Sequence, residues 1–107
     1  MTPRSSERTM QVYDEVAAGL ADEGVTKGSM FGMPCLKTGK KVLGGLWGDA
    51  MNFKLPTEAR EKALTLPGAE PFDPGMGRPM KEWVLVPLDE SASWPDLAAQ
   101  ALAYVRG

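Results

Sequence analysis

Six glycines and one proline fall between Val25 and Leu55: Gly28, Gly32, Pro34, Gly39, Gly44, Gly45 and Gly48. No window between them is long enough for a stable helix, so the chain there must run as short extended pieces. The spacing predicts strands near Lys27 to Phe31, Cys35 to Lys37, Lys41 to Trp47 and Ala50 to Leu55. Thr38-Gly39-Lys40 and Gly48-Asp49 carry turn chemistry, because glycine supplies the positive φ that tight hairpins need. In the last piece Met51, Phe53 and Leu55 alternate with Ala50, Asn52 and Lys54, which predicts one buried face and one partly wet face. Gly44-Gly45 in mid-strand predicts a bulge or a close approach by another backbone or helix.

Helical patterns flank this stretch. Ser5 and Ser6 can cap a helix from about Ser6 to Glu23, closed by Gly24, with Met10, Tyr13, Ala17, Leu20 and Ala21 on one face. Thr57 can cap a second helix through Leu66, stopped by Pro67-Gly68. Three prolines and two glycines between Pro71 and Pro79 predict a rigid loop without regular structure. Lys81 to Val86 reads as a strand covered on both faces. Ser93 can cap a final helix whose apolar stripe is Trp94, Leu97, Ala98, Ala101, Leu102 and Val105. The order is helix, four strands, helix, strand, helix. Strands grouped between helices predict an α+β domain, with helices on one face of a mainly antiparallel sheet. At 107 residues this is one domain, residues 1–107.

Composition removes much familiar chemistry. With no histidine, the chain has no imidazole base, no Ser-His-Asp or Cys-His pair and no histidine-bearing metal site. A single cysteine, Cys35, cannot close an internal disulfide, which fits a reducing compartment. The expectation is a non-enzymatic protein with no catalytic residues, no metal and no cofactor. The N-terminal residues lack an apolar stretch, and the run from Trp83 to Leu88 is far below the ~20 residues that span a bilayer. A cytoplasmic location without membrane contact is expected.

Several segments in order resemble a known family. Met30-Phe31-Gly32-Met33-Pro34, then Gly39-Lys40-Lys41-Val42 leading to Leu46-Trp47, then Asn52-Phe53-Lys54-Leu55 are similar to the opening of the TfoX/Sxy N-terminal domain family. Glu70-Pro71-Phe72-Asp73, Gly77-Arg78-Pro79-Met80, the strand Trp83 to Pro87 and the alanine-rich final helix resemble its second half. The likeness runs from about Tyr13 to Val105. It implies a secretion-chaperone-like α+β sheet, and a regulatory role exercised through protein partners. It supplies no catalytic residues. Met33-Pro34-Cys35 departs from the family, whose members often have further glycine there.

Candidate sites are few. Cys35 is either a reactive thiol beside lysines or an inert packed side chain. Gly75-Met76-Gly77-Arg78 is either an anion-binding nest or a tight turn whose arginine pairs with Asp73 or Glu82. Five lysines and one acidic residue fall between 25 and 56. They form either a patch for an acidic partner or a solvated strand face with edge lysines. Met30, Met33, Met76 and Met80 flank the two irregular segments, as core filler or as an adaptable apolar groove. The leading expectation is a module binding another protein or a second copy of itself through Phe31, Met33, Lys54, Met76, Arg78, Met80 and Lys81. The alternative is a small-molecule or anion binder, or weak enzyme, built on Gly75 to Arg78 with Lys54 and Lys81. Direct nucleic-acid binding ranks last, since the chain is acidic overall and shows no aromatic ladder.

Overall fold

The structure, a computed structural model, describes residues 4–73, 77 and 82–107. It is an α+β fold: α1 (Glu7–Leu20), β1 (Val25–Met30), β2 (Met33–Thr38), β3 (Lys41–Leu46), β4 (Ala50–Lys54), α2 (Thr57–Ala63), β5 (Glu70–Pro71), β6 (Trp83–Pro87) and α3 (Trp94–Arg106). A three-residue 3-10 turn (Ala21–Glu23) follows α1 and a six-residue 3-10 segment (Leu88–Ser93), kinked at Glu90, precedes α3. The strands form one antiparallel sheet in the order β1-β2-β3-β4-β6-β5. Each of the first three connections is a hairpin, so the glycine-rich stretch folds on itself through local pairing.

The inner face is the core. Leu46, Met51, Phe53, Val84 and Val86 point from β3, β4 and β6 into a cluster with Val12, Tyr13 and Val16 of α1 and Trp94, Leu97, Ala98, Ala101 and Leu102 of α3. α2 lies beside α3, adding Ala63. The α3 stripe is the one its spacing predicts. That of α1 is rotated: Thr9, Val12, Tyr13, Val16 and Ala17 are buried, Met10 and Leu20 only partly, and Ala21 is exposed.

The helix ends differ from one another. Ser6 caps α1 as expected, its hydroxyl accepting from the Thr9 N–H at 3.2 Å. Asp49, in the β3–β4 turn, extends this cap: one carboxylate oxygen accepts from the Ser6 N–H and from the Thr9 hydroxyl, each at 2.7 Å. Gly24 ends the following 3-10 turn at φ 84°. Thr57 and Ser93 do not cap. α2 starts after Pro56 with no side-chain bond, and the backbone of Ser93 is already helical at the end of the 3-10 turn before α3.

Two expectations about the strands need correction. Pro71 is not in an unstructured loop: Glu70 and Pro71 pair with Leu85 and Val84 as an edge strand, a position where proline's missing N–H costs nothing. Asn52 is not on a wet face but fully buried. The Gly44-Gly45 expectation takes both of its forms. The register slips one residue between Leu36/Gly44 and Lys37/Val42, and a Cβ on Gly44 would stand 2.5 Å from the Asn52 carbonyl oxygen.

Candidate functional site: an aromatic outer face and a lysine cleft

The outer face of the sheet is set by register, because residues paired across strands share a face. Asn52 pairs with Gly45 on one side and Leu85 on the other; Lys54 pairs with Trp83; Cys35 pairs with Gly45. The Trp47 N–H donates to the Ala50 carbonyl at 3.0 Å, carrying the β3–β4 ladder one pair further and placing Trp47 on this face too. Phe72 follows the edge strand and bridges the two tryptophans, with centroids 5.4 Å from Trp47 and 6.4 Å from Trp83. Trp47 and Trp83 stand on opposite sides of Asn52, so Phe72 roofs the middle of the sheet.

Phe31 completes the cluster from the β1–β2 turn. Met30 pairs with Met33, leaving Phe31 at φ 55° and Gly32 at φ 75° as a two-residue turn with both central φ values positive. Such turns favour Asn-Gly, since an L side chain in the left-handed region crowds its own backbone. Here an aromatic residue holds that position. Its ring packs against Trp47 at 6.3 Å and Phe72 at 6.4 Å, yet stays 44% exposed.

Beneath this roof, both atoms of the Asn52 side-chain amide lack a hydrogen-bond partner among the described residues. Cys35, two strands away on β2 across Gly45, is buried. Burial pushes its thiol above the ordinary value, against the pull of the Lys37 ammonium and the Gly28 N–H. A raised thiol pKa leaves little thiolate at neutral pH, which favours the inert reading of this cysteine.

A second feature lies at the other end of β4. Lys40, Lys41 and Lys54 line an open cleft of about 580 Å³ with Trp83, Glu82 and Tyr104. Lys41 donates to the Val105 carbonyl at 3.0 Å, and the Tyr104 hydroxyl donates to the Glu82 carboxylate. That hydrogen bond raises the pKa of Tyr104. Glu82 shares with Phe31 the left-handed region, at φ 73°, held there by the Leu55 N–H on its carbonyl at 2.8 Å.

The residues expected to form a site are therefore dispersed. Phe31 is in the aromatic cluster, Met33 is buried in the core, and Lys54 is in the cleft. Met76, Arg78, Met80 and Lys81 lie outside the described residues. The lysine patch divides: Lys27 pairs with Asp14 at 2.6 Å and lies 5.6 Å from the Tyr13 ring centroid, Lys37 lies against Gly28, and the other three share the cleft. Tyr104 was not among the expected residues. Its signal was present, since it falls off the apolar stripe of α3. Among the described residues there is no cluster of three metal-ligating side chains, and no helix is long and apolar enough to cross a membrane. Compared with models of protein families, with curated proteins and with solved structures, the chain matches none.

Proposed function

We propose that this chain is a small, non-enzymatic interaction module of the TfoX N-terminal type, acting in the cytoplasm on another protein or on a second copy of itself. The observation that carries the reading is Phe31. A turn position that asparagine or glycine would fill without strain holds a large aromatic ring, at a backbone cost of about 1–2 kcal/mol. Much of the ring's apolar area remains in water. Strain kept at an exposed aromatic residue suits a docking anchor better than a folding device. The edge-on contact with Trp47 and the tilted contact with Phe72 fix the ring's direction, so little conformational entropy is lost when a partner covers it.

The test compares the wild-type chain with Phe31→Asn, which suits the same backbone but has no ring. Multi-angle light scattering should show a concentration-dependent dimer, or affinity capture at native expression a stoichiometric partner, and in either case the variant should lose it. A monomer that captures nothing, or an association indifferent to the substitution, contradicts the reading.

A further inference from the structure

We infer that the cleft between the β3 turn, the end of β4 and the last turn of α3 binds a small polyanion, a molecule carrying two or more phosphate or carboxylate groups. Its three ammonium groups come from two separate places in the sequence. Lys40 and Lys41 lie at the turn entering β3, Lys54 at the end of β4, and the β3–β4 pairing brings them to one concavity. Like charges held together repel one another, and an anion seated among them removes that repulsion while making charge-assisted hydrogen bonds. Among the described residues neither Lys40 nor Lys54 has a carboxylate partner; the ion pair there is Lys27 with Asp14.

The surroundings favour reception over self-neutralisation. Among the described lining residues Glu82 is the one carboxylate side chain, set against three lysines, and it accepts from the Tyr104 hydroxyl. Lys41 is steered along the wall by its bond to the Val105 carbonyl, which uses one of three N–H donors and leaves two. Trp83 and Tyr104 give the cleft its apolar sides. A volume of about 580 Å³ lies within the ordinary range of small-molecule sites, roughly 300–1,000 Å³, and is too confined for a duplex or a folded partner. The whole chain carries a net charge of -2, so the excess of lysines at this cleft is local and not a property of the whole surface. The site takes Lys54 from the anion-binding arrangement expected around the glycine loop and replaces that loop with Lys40 and Lys41.

The test is a titration with inorganic tripolyphosphate and, separately, citrate, each against sodium chloride at matched ionic strength. The expected result is a saturable rise in melting temperature with at least one of the two. Amide resonances of residues 40–42, 54 and 104 should shift with the same dissociation constant. Lys40→Ala and Lys54→Ala should each weaken binding about tenfold, and the double variant should abolish it. Neither substitution strands a described hydrogen-bond partner, and ligand-free melting of each variant checks that the fold is kept. Lys37→Ala, outside the cleft, and Phe31→Asn should bind as the wild type does, which separates this site from the proposed docking turn. No saturable rise beyond the salt control, resonance shifts confined to other residues, or binding retained in the double variant overturns the proposal.

Discussion

The Phe31 ring meets Trp47 edge-on, with 6.3 Å between centroids and 86° between planes, from a backbone held at φ 55°. Two opposing terms meet at this residue. Relief of left-handed strain in Phe31→Asn gains about 1–2 kcal/mol, and loss of a half-buried ring costs about the same. Urea unfolding of Phe31→Asn should therefore give a stability within about 1 kcal/mol of wild type. Phe72→Ala, by contrast, removes a fully buried ring with three aromatic neighbours and should cost about 3–5 kcal/mol.

Asn52 is a buried amide without a described partner, between Gly45 and Leu85. Burying such a group costs about 1–3 kcal/mol, and leucine offers a similar branched shape with no polar atoms. Asn52→Leu should raise the urea midpoint with an unchanged slope. A lower midpoint would mean that the amide is paired in solution.

Two glycines should respond in opposite directions to the same change. At Gly44 an added methyl would stand 2.5 Å from the Asn52 carbonyl, so Gly44→Ala forces the β3–β4 pair apart and should cost about 1–3 kcal/mol. At Gly19, inside α1, nothing lies within 4 Å, and Gly19→Ala should gain about 0.5–1 kcal/mol. Paired thermal melts check both.

Asp49 links the start of α1 to the β3–β4 turn, and its bonds from Ser6 and Thr9 hold its carboxyl below the usual value. A lowered folded-state pKa gives stability that is fully present above the unfolded value of about 4 and lost as pH falls through the folded value. The stability difference between wild type and Asp49→Ala should be constant from about pH 5 to 7 and shrink on acidification below about pH 4. A difference that grows on acidification would contradict the assignment.

The strands of the glycine-rich stretch were legible because breakers never more than five residues apart leave no other choice, and α3 because its apolar positions form an unbroken helical stripe. The rotation of α1 was harder to read. Thr9 counts as polar in any pattern, and it is buried because Asp49, forty residues away, accepts its hydroxyl. Burial of Asn52 also depends on a residue distant in sequence: alternation marks it as outward, but the outer face is roofed by Phe72, delivered by an edge strand that proline content argued against. The lysine cleft needed the β3–β4 pairing before Lys40 and Lys54 could be seen as neighbours. Phe31 and Gly32 were visible as a motif, while the positive φ that makes Phe31 unusual is a backbone property no composition reports.

The measurement that bears most directly on the proposed docking role of the Phe31 turn is the association state of wild type and Phe31→Asn, by light scattering on purified chain and affinity capture at native expression. The account predicts a defined dimer or a stoichiometric partner for the wild type, lost in a variant that melts normally. Identical association in the two, or none in either, would contradict it.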